Sequence, residues 1–383
     1  MTSRRVNVAR PRTGRITRAS TILAFLGAFG AAVVTFGAWD APAPGPENAA
    51  PPPATLAPAA ASPASHSEGR LLVLNKGDDS LMVFDVPAYT LLKTIPVGKE
   101  PHELAVTPDG RKAYTANVGD DSLSVVDLAA GKVTRTIRPD GADQPHGLAI
   151  TPDGRHLVVT SEGSHRLYLV DVKRDVVERS ITTNQRGSHL VALAKKGSRA
   201  WIANRGSDTL SLYELPALKL LKTLPVGPGP EGIALSPNGR FIVTSLQGAG
   251  QVAVVDTGRT SVLTRLPAGQ TPIRVIFPAA SPMAIVSNRG SDDVTFLDVA
   301  GRHVIATVPV GRRPGGMAVN GRGTRLYVAN NDSGTVSIVS IPGREVSGTI
   351  TVGKVPDGLA FVEARSATPS GGKGKSSKGG ASK

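Results

Sequence analysis

The chain has 383 residues, a net charge of +14, 4% aromatic residues and no cysteine. The missing thiols exclude disulfides, thiolate metal centres and covalently attached haem c. Few aromatics stand beside the basic groups, which argues against nucleic acid as a partner.

At the N-terminus, Arg4, Arg5, Arg10, Arg12, Arg15 and Arg18 precede an uncharged apolar run from Ile22 to Trp39. Positive charge ahead of such a run keeps the N-terminus cytoplasmic and sends the downstream chain across the membrane. The run is 18 residues long, at the margin between a signal-peptide core and a membrane anchor. Ala41-Pro42-Ala43 offers small residues for cleavage, but Pro44 would come directly after the cut. Residues 1–21 therefore read as a basic cytoplasmic segment and 22–39 as a membrane anchor or signal-peptide core. Residues 40–68 are an Ala/Pro-rich linker that cannot bury enough apolar area to become ordered. The rest is expected on the periplasmic or extracellular side, tethered or released.

From Gly69 to Arg365 one unit recurs seven times. The closing positions Gly110, Gly154, Gly197, Gly239, Ser281, Gly323 and Arg365 are spaced by 44, 43, 42, 42, 42 and 42 residues. Strand-patterned repeats of this period signal propeller blades. In the second unit AYTAN, LSVVDL, KVTRTI and PHGLAI are short Val-, Ile- and Thr-rich runs bounded by Gly, Asp and Pro. Asp109-Gly110, Asp153-Gly154 and Asn238-Gly239 read as two-residue hairpin turns. PHGLAI, with its small residues, is expected innermost on the channel, succeeded outward by the other three. The repeat begins on a second strand, at Leu71, and ends on an innermost one, Gly358–Val362. The last strand can thus complete the first blade and cover exposed edges. The expectation is an all-β, seven-bladed propeller of four-stranded antiparallel blades over 69–365, closed by a C-terminal clasp and monomeric. Residues 366–383 are expected to be a disordered basic Gly/Ser/Lys tail. By segment, 6 basic less 3 acidic groups give +3 in residues 1–68, and 4 lysines add +4 in the tail, leaving +7 for the propeller.

The unit YVAN, GTVSIV and VGKVPDGLAF between Leu326 and Phe361 resembles the YVTN-type repeat of bacterial YncE-like propellers. The resemblance spans 297 of the 383 residues. It implies the fold and a place in the bacterial cell envelope. Its motif residues mostly build turns and strands, and similar propellers serve lactonases and metalloenzymes, so it does not transfer a chemistry.

Candidate site residues come from superposing the innermost strands. Their openings read Pro101-His102-Glu103, Pro145-His146-Gly147, Ser188-His189-Leu190, Pro230-Glu231-Gly232, Pro272-Ile273-Arg274, Pro314-Gly315-Gly316 and Pro356-Asp357-Gly358. His102, His146 and His189 share one register in consecutive blades, with Glu231 next. Converging on the axis, they suit one copper, zinc or iron ion. Equally, the recurrence can be inherited through duplication and serve only to join blades. Glu162 and His165 are expected on the same face. Arg274, Arg312 and Arg313 flank innermost strands, while Arg205 and Arg289 lie in Asn-Arg-Gly turns; as guanidinium forks they suit an anionic small ligand. Recurrent Asn75, Asn117, Asn204, Asn288 and Asn330 read as turn caps.

No nucleophile elbow, zinc-protease helix or phosphate-binding loop is present. The expected function is binding or scaffolding of a ligand or envelope protein partner on the channel-mouth face, with metal binding as the alternative. A lactonase-like hydrolase using His146 or His189 with Arg274 is the second alternative.

Overall fold

A computed structural model describes residues 67–279 and 281–364. The basic segment 1–21, the apolar run 22–39, nearly all of the linker 40–68 and the tail 366–383 lie outside them. Among the described residues no helix is long and apolar enough to cross a membrane.

Among the described residues, twenty-eight strands, β1 to β28 in chain order, form seven four-stranded antiparallel sheets. The second blade shows the pattern: β4 (Pro101–Val106), β5 (Lys112–Asn117), β6 (Ser122–Asp127) and β7 (Lys132–Ile137), hydrogen-bonded in that order. β5 and β6 are almost wholly buried, and β7 is mostly exposed. The predicted order, innermost to outermost, is the one observed.

Neighbouring innermost strands touch around a full circle: β4, β8 (Pro145–Ile150), β12 (Ser188–Leu193), β16 (Pro230–Leu235), β20 (Pro272–Ile276), β24 (Pro314–Val319), β28 (Pro356–Glu363), then β4 again. β28 pairs with β1 (Gly69–Asn75), completing the sheet β28-β1-β2-β3 with β2 (Ser80–Val86) and β3 (Leu91–Pro96). The clasp anticipated from the repeat phase therefore exists. Glu68, assigned to the linker, is already part of it: its amide donates to Val86 O, and its carboxylate lies 3.0 Å from Arg325 Nη1.

The core lies between blades. Tyr114, Leu123 and Val125 of the second blade pack on Leu157, Val159 and Tyr168 of the third. At the closure, Leu71, Val73 and Phe84 meet Tyr327, Val336 and Ile338 in the same way. Each fully buried Leu or Val contributes about 1.5–3 kcal/mol, so the clasp is held by packing comparable with that of any other joint.

The recurrent asparagines are structural. Asn117 is fully buried and donates from Nδ2 to Ser122 Oγ and Ser124 Oγ at 2.9 and 3.0 Å. Asp109-Gly110 differs from the two-residue turn expected. The Thr107 amide donates to Lys112 O, enclosing Pro108–Arg111, and the Gly110 amide donates to Thr107 O. Pro108 presets the turn, and Gly110 at φ +64° takes the left-handed position.

Candidate functional site

The second residues of the innermost strands bring most of the predicted site together. Around the ring these residues are Asp357, His102, His146, His189, Glu231, Ile273 and Gly315. The structure brings the three predicted histidines together. The His102 and His146 ring centroids are 4.0 Å apart, and those of His146 and His189 are 3.8 Å apart.

A carboxylate closes each end of this stack. Asp357 Oδ2 lies 3.4 Å from His102 Nε2, and Glu231 Oε1 lies 3.5 Å from His189 Nε2. On the other side of His189, Nδ1 meets Glu162 Oε2 at 2.8 Å. His146 is 3% exposed and takes part in no hydrogen bond or ion pair among the described residues.

The position after the histidines explains the next layer. In most blades it is small, because the neighbouring innermost strand passes close by. A Cβ on Gly316 would stand 2.0 Å from Asp357 O. In β4 and β20 the ladder resumes one residue earlier, pairing Glu103 with Ala116 and Arg274 with Ser287. These two long side chains meet in the channel, where Arg274 Nη2 donates to Glu103 Oε1. Arg274 Nη1 also donates to Glu231 Oε1 at 3.4 Å.

The arginines divide. Arg274 is 6% exposed and faces carboxylates. Arg205 donates to Glu162 Oε1 at 2.6 Å, and its Nη1 is 3.9 Å from Glu231 Oε2. Arg289 donates to Asn331 Oδ1 at 3.4 Å. Arg312 and Arg313 are exposed on the rim: Arg312 donates to Asp332 O at 3.2 Å, and Arg313 Nε is 3.8 Å from Asp332 Oδ2. The arginines predicted to clamp an anion are thus split between an internal ion-pair network and the outer surface. His165 stays out of the stack, accepting a hydrogen bond at Nδ1 from the Gly187 amide at 3.3 Å.

With this geometry in view, the match of residues 31–366 to the family described as YNCE-like beta-propeller is decisive. The chain belongs to that family. This YNCE-like propeller is also similar to solved structures. Against Kuenenia stuttgartiensis hydrazine synthase the TM-score is 0.65 at 21% identity, covering 71% of this chain and 92% of that one. Against a functionally unknown protein from Desulfotomaculum acetoxidans it is 0.69 at 14% identity, covering 78% and 100%. Likeness at these identities shows the fold alone. A search of curated proteins returns no significant match.

Within the YNCE-like ring, environment sorts the titrating groups. Burial pushes the Glu103 carboxyl up, but the Arg274 charge and His102 outweigh it and hold it at about 2. Glu231 is likewise opposed by burial, yet His189 and Arg274 hold it at about 2. Burial opposes charge on His189 too, but its bonds to Glu162 and Glu231 keep it above the usual histidine range. His146 has no such partner; burial, then the charges of His189 and His102, hold it well below that range. One imidazole is therefore neutral and unpartnered between two others.

Several buried polar atoms in the cluster lack hydrogen-bond partners: His102 Nδ1, His146 Nδ1, His189 Nε2, Glu231 Oε2, Asp357 Oδ1 and Arg274 Nε. Glu103 and Asp357 stand in the superposed strand openings, yet the repeat pattern gives them no role in the site. Asp357 is legible as the seventh member of the histidine register.

Proposed function

We propose that this YNCE-like propeller is a binding protein, not an enzyme, and that its ligand site is the polar cluster at the channel mouth. The carrying observation is His146, a buried neutral imidazole without a hydrogen-bond partner among other unpartnered polar atoms. Leaving such groups unsatisfied costs about 1–3 kcal/mol each, and a bound ligand would recover that stability.

The site favours a cation or a hydrogen-bond donor over an anion. Glu103, Glu162, Glu231 and Asp357 face Arg205, Arg274 and Arg289. Four carboxylates against three guanidiniums leave an anion no surplus of positive charge. A lactonase would need Arg274 free to polarise a carbonyl, but its guanidinium is turned to Glu103 and Glu231. The charged N-terminal flank and apolar run support an extracytoplasmic site of action.

Native mass spectrometry of the full-length protein tests this reading. A species co-purifying at one per chain and lost in His146→Leu is expected. A bare chain from every growth condition would overturn it.

A further inference from the structure

Resting on the reading above and naming its ligand, we propose that a divalent transition-metal ion of the zinc type binds between His102, Glu103 and His146. One donor atom from each of these residues lies within 4.8 Å of the others. Donor distances to zinc of about 2.0–2.2 Å place tetrahedral ligand atoms roughly 3.3 Å apart, so they draw together by about 1.5 Å at most on loading.

Each ligand is prepared by its surroundings. Nδ1 of His102 and Nδ1 of His146 are both buried without a hydrogen-bond partner. Behind His102, Asp357 Oδ2 stands 3.4 Å from Nε2. A carboxylate in that place fixes the tautomer and turns the other ring nitrogen toward a metal. Arg274 donates to Oε1 of Glu103, which leaves Oε2 to an ion. Imidazole and carboxylate without thiolate suit zinc or cobalt better than copper(I) or calcium. A fourth position stays open.

The neighbouring trio of His146, Glu162 and His189 also gathers donor atoms within 4.8 Å. Its charges are already opposed by neighbours, although His189 Nε2 makes no hydrogen bond. Both nitrogens of His189 face carboxylates, at 2.8 and 3.5 Å, and Glu162 is further engaged by Arg205.

The test is titration of chelator-stripped full-length protein with Zn(II) by calorimetry and with Co(II) by visible absorption. One ion per chain is expected, with the intense bands of four- or five-coordinate cobalt. Asp357→Asn, which touches the metal only through His102, should weaken binding roughly 10–100-fold, and His102→Ala and His146→Ala should weaken it more. His303→Ala, on an exposed outer strand, should change nothing. Because Glu103→Gln also takes one of its two carboxylates from buried Arg274, the histidine variants decide the matter if that protein does not fold. Absence of heat and of cobalt bands would overturn the assignment, as would binding that survives His102→Ala but disappears in His189→Gln and Glu162→Gln. If native mass spectrometry then still shows a His146-dependent species, the binding site stands and only its metal is wrong; if it shows none, both readings fall.

Discussion

Arg274 of the sixth blade hydrogen-bonds Glu103 of the second, 171 residues away and three blades round the ring. The pair spans the channel, so it ties together blades that share no sheet and no hydrophobic cluster. It also keeps four carboxylates tolerable in a confined space.

Breaking that pair from one side should be costly. Arg274→Met leaves Glu103 without its main counter-charge and Glu231 with His189 but without its arginine, and losses of about 3–5 kcal/mol are usual for a buried pair. The double variant Arg274→Met with Glu103→Gln should be less damaged than the two single effects added together. Urea denaturation of the four proteins measures the coupling; strict additivity would mean that the pair does not act as a unit.

Stability should depend on pH in a definite way in metal-free buffer. Glu103 and Glu231 stand at about 2 in the folded chain against 4.5 ordinarily. Their stabilisation is fully present above about 4.5 and is lost as pH falls toward 2. His146 is depressed from 6.5, so its contribution is full above that value and declines below it. His189 is raised from 6.5, so its contribution is full below that value and declines as pH climbs through the folded pKa. The denaturation midpoint should therefore peak at about pH 6.5, and Glu231→Gln should flatten the limb below about 4.5. A midpoint that stays constant from about pH 3 to about pH 8 would rule this out.

Gly316→Ala should destabilise the ring by about 1–3 kcal/mol, the usual range for overpacking. The new methyl would stand 2.0 Å from Asp357 O, a backbone atom that cannot swing aside. An unchanged melting temperature would show that the two innermost strands do not press on each other at this point.

Closure by β28 should be essential. A chain ending at Val355 loses the strand paired with β1 and exposes the edges of the first blade. It should lose its cooperative unfolding transition, whereas a permuted chain joining Ala364 to Ser67 should keep it. Calorimetry on both proteins separates strand closure from mere chain length.

The fold was legible because repetition is a strong signal: one blade's pattern, read seven times, gave strand order and clasp together. The same superposition placed His102, His146, His189 and Glu231 in one register, and the structure stacks or pairs all four. What repetition could not show was the departure from itself. In β4 and β20 the position that is glycine in most blades carries Glu103 and Arg274, which meet each other, while Gly147, Gly232 and Gly316 stay packed on the next strand. The arginines' own partners were hidden for a related reason. Charge and turn position suggested a common anion clamp, whereas partner carboxylates from distant blades decide which guanidiniums are already occupied.

The most direct measurement is anomalous diffraction across the zinc edge from crystals of the zinc-loaded protein. A single peak on the propeller axis, bonded to His102, Glu103 and His146, is the predicted result. Zinc confined to His156 or His303 on the outside of the ring, with the axial histidines still unpartnered, would contradict the account.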